Sequence, residues 1–440
     1  MRKLVYTLMT LTLLSCQESE NDIDSITREP IISSGAAIDP STNASSPEGN
    51  IPGNWSLYWS DEFNSFDQTK WEKNTPVKAK GRGLTGRDPN LKWWDWTDDN
   101  AWVNNGKLWL RSHKTASDSL ACGAVFSKNK FDTKFGYFEA KIKIQNPKYG
   151  SHTAFWLQGY NQGSIDKSGA DGAEIDIFES VYKTNFTKSV VHIDGYQSGI
   201  KRTRTIKYDT HDMQDVQWHT YGLLWEPGLL KIYLDGVLKT TYRGAFVPLV
   251  EEYLWLSVGA AFDYQNSNSG ATGFTTERAV GSKQTSQVAW VRVWKSNDSP
   301  SYYHIKNRQT NKWFKTYGID DNAEIKQCAT NQNGDWTTWA IAPTTDGYFY
   351  FVNENSGKYI RPINSSNNST LQLRPTSNSG AWTQWKFVYL ADEDDKDDFY
   401  YLQNRETGKY IRPTSTANTA PLTLQPSSSN DHWTQWQTIE

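Results

Sequence analysis

The last third of this 440-residue chain consists of three copies of one sequence pattern. Two landmarks recur in each copy, a lysine and a closing tryptophan: Lys312 with Trp339, Lys358 with Trp385, and Lys409 with Trp436. The lysines are 46 and 51 residues apart, and the closing tryptophans have the same two spacings. Two independent landmarks with one period indicate a true internal repeat, whose units bury their apolar faces against each other. We therefore predict one threefold module over residues 300–440.

The preceding part of the chain, residues 54–297, contains many short runs in which apolar and polar residues alternate. Examples are residues 107–111 (KLWLR), 137–144 (YFEAKIKI) and 230–234 (LKIYL). Turn residues separate these runs, and no long segment has the helical period. This pattern is typical of an all-β sandwich or barrel.

Composition excludes two broad classes of function. Lys and Arg number 46 and Asp and Glu 49, a net charge of −3 that argues against nucleic acid as a partner. A mean hydropathy of −0.72 excludes a protein with many membrane spans. Aromatic residues make up 14% of the chain, which suits either sugar stacking or large β cores. Three cysteines are too few for a disulfide scaffold, so we expect Cys122 and Cys328 to be buried thiols.

The first 16 residues have the pattern of a bacterial lipoprotein signal peptide. Arg2 and Lys3 precede an apolar stretch that is too short to span a bilayer. Residues 13–16 (LLSC) resemble a lipobox, which predicts cleavage and a lipid anchor on Cys16; the alternative is an ordinary secretory signal. The acidic residues that follow resemble a surface-export signal, and residues 17–53 read as a flexible tether. We therefore expect a surface-exposed outer-membrane lipoprotein, or otherwise a periplasmic or secreted protein.

Three acidic residues stand in a short segment with strand character, residues 174–179 (EIDIFE). Strand alternation sends Glu174 and Asp176 to the same face. Glu179 follows Glu174 by five positions, an odd offset that a regular strand would send to the other face. A single β-bulge between Asp176 and Glu179 would bring all three acids together.

Carboxylates crowded on one strand face suit glycoside hydrolysis. A retaining glycosidase needs two carboxyl groups about 5–5.5 Å apart. Crowding separates their pKa values, leaving one ionised nucleophile and one protonated acid. The alternative interpretation is an exposed acidic strand without a function.

The motif Glu174-x-Asp176-x-x-Glu179 resembles the signature of glycoside hydrolase family 16, a β-jelly-roll family of retaining endo-glycanases. Seven further segments fit that family in order: residues 59–63, 104–108, 135–140, 154–157, 218–222, 233–236 and 290–294. The resemblance implies that Glu174 is the nucleophile, that Glu179 is the general acid/base and that Asp176 tunes the pair.

The same resemblance suggests residues that contact substrate. Trp156 would stack a sugar, and His192 would lie beside the acids unless it is a core histidine; Trp94 and Arg87 are further predicted contacts. Many members bind a structural Ca²⁺ through an aspartate where this chain has Ala289. We therefore expect no metal site of that kind and no cofactor.

The threefold module resembles a ricin-type β-trefoil lectin. The paired tryptophans would form its core. Residues 358–361 and 409–412 share the sequence KYIR, which suggests Tyr359 and Tyr410 as stacking platforms and Arg361 and Arg412 as donors to glycan. The alternative is that the tyrosines belong to the core and that the module is a spacer.

The sequence leaves two classes of polysaccharide as candidate substrates, red-algal galactans and β-glucans. Residues 151–156 (SHTAFW) and 127–128 (SK) look more like agarases and their relatives than like laminarinases. Basic clusters at residues 78–87 and 201–204 could meet sulfate esters, or be solvated loop charge. We predict an agar-, porphyran- or carrageenan-type galactan, with an endo-β-1,3- or β-1,3/1,4-glucanase as the alternative. A non-catalytic surface glycan-binding lipoprotein is the third possibility.

Overall fold

The computed structural model describes residues 38–73, 93–116, 119–147, 151–180, 187–197, 202–208, 216–260, 279–390 and 399–440. Within these ranges the regular structure consists of β-strands and short 3-10 turns, which confirms the all-β prediction. No helix in this part of the chain is long and apolar enough to cross a membrane. Cys122 and Cys328 are buried thiols, as predicted.

Seventeen strands precede the threefold module. They are β1 (Trp55–Asp61), β2 (Trp93–Trp96), β3 (Ala101–Val103), β4 (Leu108–Ala116), β5 (Ser119–Cys122), β6 (Ala124–Phe126), β7 (Asp132–Thr133), β8 (Gly136–Lys143), β9 (Ser151–Gly159), β10 (Glu174–Glu179), β11 (Thr187–Ile193), β12 (Arg202–Tyr208), β13 (Trp218–Glu226), β14 (Leu229–Leu234), β15 (Val237–Arg243), β16 (Glu252–Ala260) and β17 (Lys283–Ser296).

These strands form two sheets that pack face to face. The first has the order β15-β14-β13-β8-β17-β4-β5-β2, with β1 beside β17 and β3 beside β4. The second has the order β12-β11-β10-β9-β16-β6, with β7 beside β16. Alternate residues of both sheets fill the core between them, for example Phe138 and Ile142 from β8 and Ile175 and Ile177 from β10. The strand pattern of the sequence therefore corresponds to a sandwich with one outer face per sheet.

The threefold module is a third sheet system of twelve strands. They are β18 (Tyr302–Asn307), β19 (Trp313–Thr316), β20 (Ile325–Cys328), β21 (Thr338–Pro343), β22 (Phe349–Asn353), β23 (Tyr359–Pro362), β24 (Leu371–Arg374), β25 (Trp385–Val388), β26 (Tyr400–Asn404), β27 (Tyr410–Pro413), β28 (Leu422–Gln425) and β29 (Gln435–Ile439).

The paired tryptophans of the module divide between core and surface. The second member of each pair, Trp339, Trp385 and Trp436, is fully buried in one shared core. The first members are different: Trp336 is exposed, and Trp382 and Trp433 are half-buried. The expectation that both members belong to the core was therefore wrong for the first of each pair. The first tryptophan of each pair precedes the closing strand, so it takes no part in that strand's alternation of buried and exposed side chains.

The trefoil packs directly against the sandwich. Ala170, Leu229, Ala245 and Leu249 of the sandwich side join the same apolar core as the trefoil residues. The amide of Tyr389 donates a hydrogen bond to the carbonyl of Lys167 at 2.7 Å, and Lys386 pairs with Asp166. Since Asp166 and Lys167 lie in the segment that enters β10, the trefoil supports the connection from which the acidic strand begins.

Candidate active site

Strand β10 carries the β-bulge that the sequence predicted. From Asp176 to Glu179 it advances by three residues while its partner β11 advances by two. The pairing with β9 shifts at the same place. Ile175 and Ile177 point into the sandwich core, and the extra residue returns Glu179 to the outer face with Glu174. Local backbone irregularity therefore gathers the three acids.

Glu174 has two polar neighbours at its carboxylate. The hydroxyl of Tyr196 donates a hydrogen bond to its Oε2, and Nε2 of His192 lies 3.7 Å from its Oε1. His192 is the register partner of Glu174 on β11, and its Nδ1 contacts the hydroxyl of Thr203 at 2.8 Å. The structure thus places His192 beside the acids. Tyr196 was not predicted, although it follows the turn at Asp194 that closes β11.

Asp176 is buried between the other two acids of the strand. Burial, followed by the charges of Glu179 and Glu174, raises the pKa of Asp176 to about 8. Its Oδ2 lies 3.5 Å from Nε2 of His192. Burial opposes charge on His192, but the hydrogen bond to Asp176 and the surrounding carboxylates raise its pKa overall. Burial and the crowding of carboxylates therefore favour a proton shared within the cluster.

Glu179 has two cationic neighbours that the sequence analysis missed. Nζ of Lys188 lies 2.9 Å from its Oε2, and Nε2 of His152 lies 3.4 Å from its Oε1. Burial raises the pKa of Glu179, but these positive charges outweigh burial and lower it. Lys188 is the register partner of Glu179, and His152 stands two residues before the partner on β9. Strand alternation could have suggested both once the pairing was known.

An aromatic layer adjoins the acids on the same face. Trp156 is the register partner of Asp176. Its ring stacks on Trp255 with 4.6 Å between centroids and 8° between planes, and Trp255 stacks on Phe126 at 4.5 Å. The indole N–H of Trp156 donates to the hydroxyl of Ser257 at 3.1 Å. Only 7% of Trp156 is exposed, so it forms a wall beside the acids.

The side chains of three further predicted residues are not described by the structure. Arg87 and Cys16 lie outside the described residues, and so does the side chain of Trp94, whose backbone belongs to β2. Ala289 lies in β17 at a register shift against β8.

Arg202 and Arg204, from the basic cluster that could meet sulfate esters, do not face the acids. Their register partners on β11 are Ile193 and Val191, which point into the core rather than outward with His192. Arg202 pairs with Asp194 at 2.9 Å.

The acids and His192 have the spacing of a metal site. Ligand atoms of Glu174, Asp176 and His192 all lie within 4.8 Å of one another. The pKa values of Asp176 and His192 are both raised, so both groups hold a proton more readily than a free side chain does. Charged imidazole has no free lone pair for a metal. The arrangement fits proton chemistry better than metal binding.

In the trefoil, the predicted glycan residues occupy equivalent places in two repeats. Tyr359 stacks on Tyr350 and Tyr410 stacks on Tyr401, with centroids 4.4 and 4.5 Å apart. The guanidinium groups of Arg361 and Arg412 lie over Trp382 and Trp433, at 5.1 and 5.2 Å. Tyr410 is buried, whereas Tyr359 is half-buried.

Family models match both parts of the chain. Residues 55–296 match the model described as Beta-porphyranase A-D, GH16 domain. The chain belongs to glycoside hydrolase family 16. Residues 286–374 match the model of the ricin-type beta-trefoil lectin domain-like family. The jelly-roll and trefoil folds inferred from the sequence are thereby confirmed.

Individual relatives within glycoside hydrolase family 16 are distant. The kappa-carrageenase of Pseudoalteromonas carrageenovora is 26% identical over 278 residues, which cover 55% of this chain and 65% of the carrageenase, less than two thirds of its length. The beta-glucanase of Paenibacillus polymyxa is 26% identical over 188 residues, 42% of this chain and 68% of the glucanase. A family 16 endo-glucanase from Bacteroides ovatus has a solved structure with 22% identity and a TM-score of 0.42, covering 53% of this chain and 99% of that one.

Proposed function

We propose that the protein is a retaining, endo-acting glycoside hydrolase that cleaves internal β-linkages of a red-algal galactan. The observation that carries the proposal is the bulged strand β10, which presents Glu174, Asp176 and Glu179 on one face. Membership of glycoside hydrolase family 16 supports it. A retaining glycosidase requires two carboxyl groups with different roles, a nucleophile and a general acid/base.

In the proposed mechanism, the carboxylate of Glu174 attacks the anomeric carbon while Glu179 protonates the departing glycosidic oxygen. This forms a covalent glycosyl-enzyme, and Glu179 then removes a proton from the water that hydrolyses it. Burial and the neighbouring carboxylates raise the pKa of Asp176 to about 8, which favours a proton on the cluster. Because the acids are coupled, Asp176 and Glu179 share this proton, and Glu179 acts as the acid in the form in which it carries it.

The galactan assignment is supported by two names among the comparisons. The matching family model is of the porphyranase type and one relative is a kappa-carrageenase; both names refer to sulfated galactans. The beta-glucanase relative supports a β-1,3/1,4-glucan as the second candidate. The aromatic wall of Trp156 and Trp255 suits either polymer, because both present apolar sugar faces.

The decisive experiment is a reducing-end assay on porphyran, kappa-carrageenan, agarose, laminarin and lichenan. Wild-type protein should release reducing ends from a galactan, and Glu174→Gln should release almost none while keeping its unfolding temperature. Early proton NMR should show a product with the anomeric configuration of the substrate. Cleavage of laminarin or lichenan alone would establish the glucanase. No cleavage of any polymer, with binding retained, would establish a non-catalytic glycan-binding protein.

We also propose that Cys16 carries a lipid anchor that holds the protein at the bacterial outer membrane, exposed at the cell surface. The support is the sequence of residues 1–24 alone. Cys16→Ala should move the protein from the membrane fraction to the soluble fraction, and protease added to intact cells should degrade the wild-type protein. Unchanged partitioning of the variant would contradict the anchor.

A further inference from the structure

The second trefoil repeat has an outward face made by the hairpin of β23 and β24. Tyr359 pairs with Arg374 across the hairpin, and Arg361 pairs with Gln372. The intervening residues, Ile360 and Leu373 among them, are buried in the trefoil core. Strand alternation therefore puts the two arginines on the same outer face, as diagonal neighbours.

Both arginines are held by neutral groups. Nε of Arg361 donates to the carbonyl of Pro362 at 3.0 Å, and its guanidinium lies over the ring of Trp382. The carboxamide of Gln372, turned so that its oxygen faces Arg374, accepts from Nη2 at 2.9 Å and from Nε at 3.2 Å. These contacts orient the guanidinium groups without neutralising them.

The positive charge of this face is uncompensated. In the described part of the chain no carboxylate forms an ion pair with Arg361 or Arg374. Burial, followed by the charge of Arg374, lowers the pKa of Arg361. Two cations held together in this way are stabilised when an anion binds between them.

The equivalent positions of the other repeats carry less net charge. The first repeat has Lys315 and Cys328 at the positions of Arg361 and Arg374; its Lys326, at the position of Gln372, forms an ion pair with Glu324. The third repeat has Arg412, with Gln425 where the second repeat has Arg374. The second repeat therefore differs from both.

We propose that the hairpin face of the second repeat binds a sulfate ester of the polysaccharide. Arg361 and Arg374 donate charge-assisted hydrogen bonds to the sulfate oxygens, and the sugar ring that carries the ester lies against Tyr359 and Trp382. The identity of this ligand rests on the proposed function, because the sulfate ester belongs to the class of galactan that the sandwich is proposed to cleave. The site itself lies in the trefoil and takes no part in bond cleavage.

Affinity electrophoresis of the full chain tests this site. All proteins carry Glu174→Gln, so that kappa-carrageenan in the gel is not cut, and a parallel gel contains the chemically desulfated polymer. The test variant is Arg361→Gln/Arg374→Gln. The matched control is Lys315→Gln/Lys326→Gln, which removes the same charge from the equivalent hairpin of the first repeat.

We expect the arginine variant to raise the dissociation constant for kappa-carrageenan about tenfold, the size of one lost hydrogen bond between charged groups. The lysine control should change it less than twofold, and neither variant should alter migration in the desulfated gel. Arg361→Lys/Arg374→Lys, which keeps the charge but not the planar fork, should fall between them. This second variant also gives a result if the glutamine variant unfolds.

Unchanged retention of the arginine variants would overturn the proposal. Equal losses in the arginine and lysine variants would also overturn it, since they would show diffuse attraction rather than a site. Sodium sulfate should compete better than sodium chloride of the same ionic strength, and equal competition would contradict sulfate recognition. A failure of the proposed hydrolysis is distinguishable from a failure of the sulfate site. If only the hydrolysis is wrong, wild-type protein releases no reducing ends, but its retention in the kappa-carrageenan gel still depends on the two arginines.

Discussion

Nζ of Lys188 lies 2.9 Å from Oε2 of Glu179, the proposed general acid/base. Burial raises the pKa of Glu179, but the charges of Lys188 and His152 hold it below its ordinary value. A general acid must be protonated to act, so this contact limits activity at alkaline pH. The same contact favours the ionised form that the second, hydrolytic step needs.

Replacing this lysine should therefore shift the pH profile of catalysis. Lys188→Met removes a positive charge that lowers the pKa of Glu179. The alkaline limb of the kcat/KM profile should therefore move to higher pH by about 1–3 units. Lys188→Arg keeps the charge and should leave the limb close to its wild-type position. Profiles of kcat/KM from pH 4 to 10 provide the measurement. A limb that moves to lower pH in the methionine variant would contradict this relationship.

Azide rescue should distinguish the two glutamates. In Glu174→Ala, azide can occupy the space of the carboxylate and attack the sugar directly, which gives a glycosyl azide of inverted configuration. In Glu179→Ala, a dinitrophenyl glycoside still forms the covalent intermediate, and azide attacking it gives the retained configuration. Proton NMR identifies both products. The opposite pairing of variants and anomers would exchange the assigned roles.

Tyr196 should contribute to catalysis through its hydrogen bond to Glu174. Tyr196→Phe removes a donor from the ionised nucleophile and should lower kcat by about tenfold to a hundredfold, the cost of a hydrogen bond to a charged group. Its ring still fills the same space, so the unfolding temperature should change little. Tyr160→Phe is the control, at another exposed tyrosine whose hydroxyl donates to Asp132 rather than to Glu174. Equal kcat in wild type and Tyr196→Phe would remove this residue from the site.

Tyr389 should be important for both stability and activity, because it joins the trefoil to the sandwich. Its ring meets Phe246 edge-on at 5.2 Å and lies beneath the guanidinium of Arg202. Tyr389→Ala should lower the free energy of unfolding by about 2 kcal/mol, measured by urea denaturation. It should also lower kcat on short soluble oligosaccharides, because the ring holds Arg202, whose partner Asp194 accepts hydrogen bonds from the amides of Asp166 and Lys167 in the segment that enters β10.

Tyr317→Ala is the matched control for the Tyr389 variant, since Tyr317 is an exposed tyrosine of the trefoil. It should change the free energy of unfolding by less than about 0.5 kcal/mol. Full activity of Tyr389→Ala on soluble oligosaccharides would show that the trefoil is only a binding appendage.

Much of the site was predictable because it depends on local spacing. The odd offset between Glu174 and Glu179 required a bulge, and β10 has one. The period of 46 and 51 residues predicted one shared core, and Trp385 lies in it. Both predictions use only neighbouring positions or regular repeats.

Features that depend on pairing between distant segments could not be predicted in the same way. Lys188 and His152 reach Glu179 only through the register of three strands. Arg202 looked close to the acids in sequence, but its register partner is a core residue, so it points away from them. The packing of Tyr389 against the sandwich leaves no periodic signal in the sequence.

The extra residue in β10 makes the acidic cluster depend on a backbone irregularity rather than on composition. A mutated gene whose product paired residues 176–179 as a regular strand would preserve every carboxyl group in the sequence. The odd offset would nevertheless turn the third carboxyl toward the apolar interior and away from the other two. Such a gene would still be classified by its composition as encoding a hydrolase, although its product could neither donate nor accept the necessary proton.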